Sequence, residues 1–310
     1  MNAIHIFSVP FTGLGIQNGF RGNKWLKRRI QVFKNFVLPS LIHQTKKEFI
    51  VWIQWRKQEE YNPIVQDFVS FLNKVIGMTF VHTYHGIAMW DDKYSDKDAE
   101  ERLLNTLKGS LPELHDYVKG SDWVFLTCQP SDDMYNSSAV KQIWEEIEKE
   151  EYRSNLAVGW RRGYIMNCAT KEVYDYDPET CPPFATIVFP TNIFLEPRSH
   201  YIYIGPYKSH EYVKDIFNYK ELLGRGFMVG THGENISTTF NHPYATRELE
   251  GDERDSILHK FSVYYSDRVY FPVGFRLLGR KAINTLPRPL HDIIKWAYHK
   301  LRGIYYERIR

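Results

Sequence analysis

Apolar and polar positions change period along the chain. Residues 3–10, Ala-Ile-His-Ile-Phe-Ser-Val-Pro, form a short apolar run and predict a first strand. A loop holding Gly13, Gly15, Gly19 and Gly22 follows. Leu26, Ile30, Phe33 and Val37 then recur at helical spacing. Pro39 either kinks that helix or starts a second short one over residues 40–44. Residues 49–53 predict a second strand. Residues 62–76 predict a helix with Ile64, Val65, Phe68, Phe71, Leu72 and Val75 on one face. A third strand is expected over 78–84 and a helix over 98–107. Trp123 to Cys128 reads as a fourth strand. Beyond it, Asn136 or Ser137 is placed to cap a helix whose apolar stripe is Val140, Ile143, Trp144 and Ile147. Strands alternating with helices in this order predict a parallel, doubly wound sheet. The second half differs: a hairpin over 163–176, a strand over 185–189, and prolines at 178, 182, 183, 190 and 197.

Composition narrows the class. With 310 residues, 43% apolar and 15% aromatic, the chain is long enough for one large α/β domain with a sizeable core. Many aromatic rings also suit a site that stacks bases or sugars. Cys128, Cys168 and Cys181 are odd in number and form no C-x-x-C pair, which argues against zinc and disulfides and fits a reducing cytosol. Residues 1–7 show no basic segment followed by a long apolar stretch, so no signal peptide is expected, and no run of apolar residues is long enough to span a bilayer. The net charge is +3, but nine Lys/Arg against Asp292 and Glu307 give residues 276–310 a charge of +7, leaving −4 for residues 1–275. Basic character confined to the tail argues against a nucleic-acid footprint.

The chemistry is densest where the fourth strand ends, in Gln129-Pro-Ser131-Asp132-Asp133. In an open α/β sheet the carboxyl ends of the strands form the ligand crevice. Two adjacent carboxylates repel unless a proton or cation neutralises them, and hard oxygen donors suit Mn²⁺ or Mg²⁺ holding a diphosphate. The alternative is a solvated turn. A second pair, Asp91-Asp92, reads either as an exposed loop or as a crevice carboxylate. Gly13-Leu-Gly15 lacks the third glycine and immediate helix of a dinucleotide fingerprint.

Several segments resemble a family of GT-A-type glycosyltransferases assigned as rhamnosyltransferases. Its helix of the form R-x-x-x-F…L-P-S-L-x-x-Q-T is matched by Arg29, Phe33, Leu38, Pro39, Ser40, Leu41, Gln44 and Thr45. Its acidic D-S-D-D signature is matched by Ser131, Asp132 and Asp133, with Pro130 where the first Asp is expected. His232-Gly-Glu-Asn235 resembles its late H-G-x-N segment. The resemblance implies Mn²⁺ or Mg²⁺ at Asp132, Asp133 and His232, and nucleotide-sugar contacts at Pro10, Arg21, Arg29, Asp92, Ser131 and Asp132. An inverting reaction needs a base; Asp175, Asp177, Glu179, His210 and Glu211 are candidates between which the sequence does not choose.

From Pro289, the residues Leu290, Ile293, Ile294, Ala297, Leu301 and Ile304 make an apolar stripe bordered by Lys295, Lys300, Arg302 and Arg308. Such a basic amphipathic helix suits an anionic membrane surface or packing on its own domain. The expectation is an α/β, GT-A-like doubly wound mixed sheet flanked by helices, with a C-terminal amphipathic helical segment. Residues 1–275 form the catalytic domain, its nucleotide-binding half about 1–135 and its acceptor half about 136–275; residues 276–310 form the tail. The expected activity is metal-dependent transfer of a sugar from a nucleotide-diphosphate donor to a glycan or lipid-linked acceptor, in the cytoplasm or peripheral on the membrane's inner face. Alternatives are a nucleotidyltransferase, or a non-catalytic glycan- or membrane-binding protein.

Overall fold

Twelve strands are laid down in the described part of the chain: β1 (Ala3–Val9), β2 (Phe49–Arg56), β3 (Thr79–Gly86), β4 (Trp123–Cys128), β5 (Met134–Tyr135), β6 (Leu156–Gly159), β7 (Gly163–Asn167), β8 (Val173–Tyr176), β9 (Ala185–Pro190), β10 (Asn218–Glu221), β11 (Phe227–Thr231) and β12 (Ala245–Leu249). The computed structural model describes residues 2–12, 22–86, 96–179, 184–196, 213–232, 235, 240 and 242–264, with backbone only at 96–100, 102 and 103. All belong to one compact unit, Met1–Val269. Arg21, Asp91, Asp92, Cys181, His210, Glu211 and the tail from 276 lie outside the described residues.

The main sheet has the order β10-β6-β9-β4-β1-β2-β3. Strands β4, β1, β2 and β3 are parallel, while β9 runs antiparallel to both β4 and β6. The four parallel strands therefore end on one edge. The sheet is mixed and flanked by helices. One face packs on α1 (Asn23–Val32), α2 (Leu38–Ile42), α3 (Pro63–Leu72) and α5 (Ala139–Lys149), through Leu26, Leu41, Phe68 and Ile143. The other packs on α4 (Asp96–Val118), through Leu107, Leu111, Leu114 and Val118. The inner strands β2 and β4 read as nearly continuous apolar runs because both faces are covered. A second sheet, β12-β8-β7-β11-β5, joins β5, next to the acidic pair, to strands from the second half.

Several element bounds depart from the sequence pattern. The helix before β2 does not stop at Pro39. A π turn over Phe33–Val37 joins α1 to α2, with the Leu38 amide donating to the Phe33 carbonyl. Pro39 has no N–H for the Asn35 carbonyl, and its ring crowds that carbonyl, so the preceding turn widens. Helix α3 is capped by Asn62, whose side chain accepts from the Ile64 amide at 3.0 Å, and it ends at Leu72, leaving Ile76 almost fully exposed. Helix α4 runs past Leu107 to Val118 despite Gly109 and Pro112, because its apolar stripe continues onto the sheet. Neither Asn136 nor Ser137 is the N-cap of α5; Ser138 holds that position without a capping bond from its own side chain, and Asn136 Oδ1 accepts from the Ser138 amide at 3.0 Å.

Candidate functional site

The segment after β4 is held from three directions. The Gln129 amide donates to the Ser8 carbonyl of β1 at 2.8 Å. The Gln129 side chain reaches forward to the carbonyls of Pro130 and Asp133, both at 2.8 Å, and the Tyr135 hydroxyl donates to the Cys128 carbonyl at 2.8 Å. Buried backbone polar groups need such partners. The result is a tight acidic loop at the carboxyl edge of the parallel strands.

Two segments distant in sequence bring three side chains onto Asp132. Arg29, from α1, places Nη1 against Asp132 Oδ2. His232, just beyond β11, sets Nε2 at 3.0 Å from the same oxygen. Asn235 donates to it at 3.1 Å and to the Gly230 carbonyl at 2.7 Å, while its own Oδ1 accepts from the His232 amide at 2.8 Å. Arg29 is 4% exposed, His232 2% and Asp132 14%, so the carboxylate is the part that faces outward. Asp133 turns inward, and its Oδ1 accepts from the Gly230 amide at 2.9 Å. Ser131 is buried beside the pair. Pro10 sits at the end of β1 on the same edge.

The two carboxylates have opposite electrostatics. Burial opposes ionisation of Asp132, but the Arg29 charge and the His232 hydrogen bond outweigh it and lower its carboxyl to about 2. Burial, and then the Asp132 charge, push Asp133 well above the usual carboxylate range, against the pull of the Gly230 amide. Burial raises the flanking thiols of Cys128 and Cys168 to about 12, so neither is a thiolate.

Two residues of the L-P-S-L-x-x-Q-T stretch hold the chain beyond β5, where it enters α5. Gln44, at the end of α2, donates to the carbonyls of Ser40 at 2.8 Å and Asn136 at 2.7 Å. Its Oε1 accepts from the Val140 amide at 3.0 Å, capping α5 from another segment. The Thr45 amide donates to the Ser137 carbonyl at 2.7 Å. Gly230 also has a steric role: a Cβ there would lie 2.2 Å from the Asp132 carbonyl oxygen. Sequence reasoning passed over Gly230, and its only signal is its place just before His232. It also missed a cluster at the ends of β1 and β2, where buried Glu59 accepts from Thr12 Oγ1 at 2.8 Å and from Arg56 Nη2 at 2.9 Å.

Two candidate bases lie on the second sheet in a separate ionic network. Asp175 bonds Arg247 Nε at 2.9 Å and faces Arg225 Nε at 3.3 Å. Asp177 pairs with Arg225 at 2.9 Å and accepts from Thr246 at 3.2 Å. Burial opposes ionisation of Asp177, yet the Arg225 bonds hold its carboxyl below the usual range. Glu179 accepts from the Tyr244 hydroxyl at 3.1 Å.

No family model and no curated protein matches the chain. Among solved structures, it is similar to residues 1–349 of S. aureus TarS, at 12% identity and a TM-score of 0.37, over 74% of this chain and 60% of that one. The same fragment in complex with UDP gives 12% and 0.36, over 74% and 61%. S. aureus TarS itself gives 12% and 0.32, over 94% and 50%. The chain spans between half and about three fifths of the length of these proteins. At this identity and superposition, no residue role or ligand is carried across from them.

Proposed function

We propose that this chain is a glycosyltransferase that moves a sugar from a nucleotide-diphosphate donor to a glycan or lipid-linked acceptor. The observation that carries the reading is the convergence of Arg29, His232 and Asn235 on the carboxylate of Asp132, at the carboxyl edge of the parallel strands. That edge is where such sheets bind nucleotides. The transfer forms a bond from an acceptor oxygen to the anomeric carbon and breaks the bond to the diphosphate. The chain must therefore hold an anionic leaving group and orient two substrates.

Asp132 and His232 would hold Mn²⁺ or Mg²⁺, which when bound neutralises the departing diphosphate. The donors suit such an ion, being a carboxylate oxygen and an imidazole nitrogen. Oδ2 and Nε2 stand 3.0 Å apart, close to the spacing of two neighbouring donors on an ion bonded at about 2.1 Å. Among the described residues no group of three His, Cys, Asp or Glu side chains forms a metal cluster. Two protein donors with substrate phosphate and water completing the shell is a common arrangement for Mg²⁺. Asp133, turned inward to the Gly230 amide with its ionisation opposed by burial and by the Asp132 charge, is not counted as a donor to the ion, and Arg29 supplies a permanent positive charge beside Asp132. No base is assigned: Asp175 and Asp177 are engaged by arginines, and a base poised near neutral pH requires the opposite shift from that of Asp177.

Pro130 favours a second reading. It removes a carboxylate from the acidic segment, as in a glycan- or membrane-binding protein that keeps the fold without turnover. Isothermal titration of UDP, GDP and dTDP, with and without Mn²⁺, on the wild type and Asp132→Ala tests the first reading. Cation-dependent binding of one nucleotide, lost in the variant, is expected. Binding that ignores both cation and substitution overturns it, and glycan binding without transfer from any sugar nucleotide selects the second reading.

A further inference from the structure

Asp132 already has a cation. The Arg29 guanidinium, His232 Nε2 and Asn235 Nδ2 all address one oxygen, Oδ2. Arg29 is almost fully buried, and its guanidinium carbon lies 5.2 Å from the centre of the Trp25 ring. Its Nε is buried without a hydrogen-bond partner.

We propose that Arg29 is a tethered counter-ion that competes with the divalent cation for Asp132, so that the ion binds only when the guanidinium leaves Oδ2. The proposal rests on the reading of Asp132 and His232 as cation ligands. A guanidinium cannot lose its charge by deprotonation. A dication on the same oxygen would sit within a few ångströms of that charge in a partly desolvated loop, where repulsion is weakly screened. Steric exclusion acts in the same direction, because Nη1 occupies an approach to Oδ2 that the ion needs. The unpartnered Nε supplies the complementary half. A buried N–H without an acceptor is costly, so Arg29 is incompletely satisfied while locked on Asp132. A diphosphate oxygen is a charged acceptor suited to a guanidinium. Arrival of the nucleotide would therefore draw Arg29 away as it brings the ion in. The ion should enter with the diphosphate rather than before it.

The test is Mn²⁺ titration followed by electron paramagnetic resonance of the free ion, on the wild type, Arg29→Met, Arg29→Gln and Arg29→Met/Asp132→Asn, with folding checked by circular dichroism. A neighbouring unit charge changes a carboxylate's proton affinity by about 10- to 1000-fold. Both single variants should therefore bind Mn²⁺ at least about tenfold more tightly than the wild type, and the double variant should lose the gain. Equal or weaker Mn²⁺ affinity in the folded single variants overturns the competition. If wild-type binding is then still lost in the single variant Asp132→Asn, titrated in the same way, the cation site itself stands. No Mn²⁺ binding by any variant, even with UDP, GDP or dTDP present, overturns the cation site and the competition together. If neither single variant folds, wild-type protein labelled with ¹⁵N-arginine decides. The Arg29 side-chain resonances should shift when Mg²⁺ is added with the bound nucleotide, and unchanged resonances overturn the proposal.

Discussion

Replacing Gly230 by alanine should separate the position of the acidic loop from its composition. The backbone of Gly230 is not in the left-handed region, so the glycine is required for space alone. A Cβ would stand 2.2 Å from the Asp132 carbonyl oxygen and 3.4 Å from Cys168 Sγ. Relieving the contact with the oxygen needs a shift of about 1 Å, since ordinary carbon–oxygen contact begins near 3.3 Å. Neither side yields easily. Gly230 is registered against Met166 in the β11–β7 ladder, and its amide holds Asp133. The Asp132 peptide lies between Pro130 and Asp133, whose carbonyls are both tied by Gln129. Overpacking of this kind costs about 1–3 kcal/mol. A displacement of about 1 Å at a reacting centre costs on the order of 100-fold in rate or productive binding. Urea denaturation reads the first effect, and nucleotide titration with Mn²⁺ reads the second. Gly226→Ala is the control. Its Cβ would meet the Trp160 ring at 2.1 Å, against a side chain rather than the acidic loop. It should lose stability and keep affinity. A Gly230→Ala protein with wild-type nucleotide affinity would refute the view that this close approach sets the site.

Two further outcomes test the framework that carries the loop. His5 is fully buried, stacked on Phe7 and 2.5 Å from Thr127 Oγ1, and burial, then the Lys46 charge, lower it to about 3. The unfolded chain takes up a proton below about pH 6.5 that the folded one refuses. Stability is thus full above that pH and lost as pH falls towards 3, by about 2 kcal/mol between pH 7 and 5. Urea titrations at the two pH values should show this loss, reduced in His5→Gln; an unchanged slope in the variant excludes His5 as its source. Gln44→Ala should cost about 2–4 kcal/mol, because it orphans the Val140 amide and takes a donor from the carbonyls of Ser40 and Asn136, of which the second keeps the Ala139 amide. Gln44→Glu should be at least as damaging, since it removes the donors facing Ser40 and Asn136; a near-neutral result for either in denaturant titration would count against Gln44 as the brace of the start of α5.

Much of this was legible in the sequence because it is a local matter. The strand Trp123–Cys128 lies where its apolar run predicts, and the hairpin expected over 163–176 is formed by β7 and β8. Stops failed where tertiary burial overrides propensity, as at Leu107, beyond which α4 continues through Pro112 to Val118. The cap of α5 was misplaced because Gln44, 96 residues before Val140, satisfies its second amide. Asp132 and His232 could be nominated by type and surroundings, and Arg29 by resemblance. Their meeting on one oxygen could not be read from spacing.

The sequence alone determined the alternation that makes an α/β sheet and the acidic pair that ends its fourth strand, because apolar period and strand-end chemistry are properties of short segments. The tertiary structure alone decided that β9 runs antiparallel and that a second sheet forms from β5 and the later strands. It also decided that Asp132 faces outward to Arg29 and His232 while Asp133 turns inward to Gly230. Those outcomes depend on which distant groups can satisfy a buried charge or amide, and that is settled only when the chain has packed.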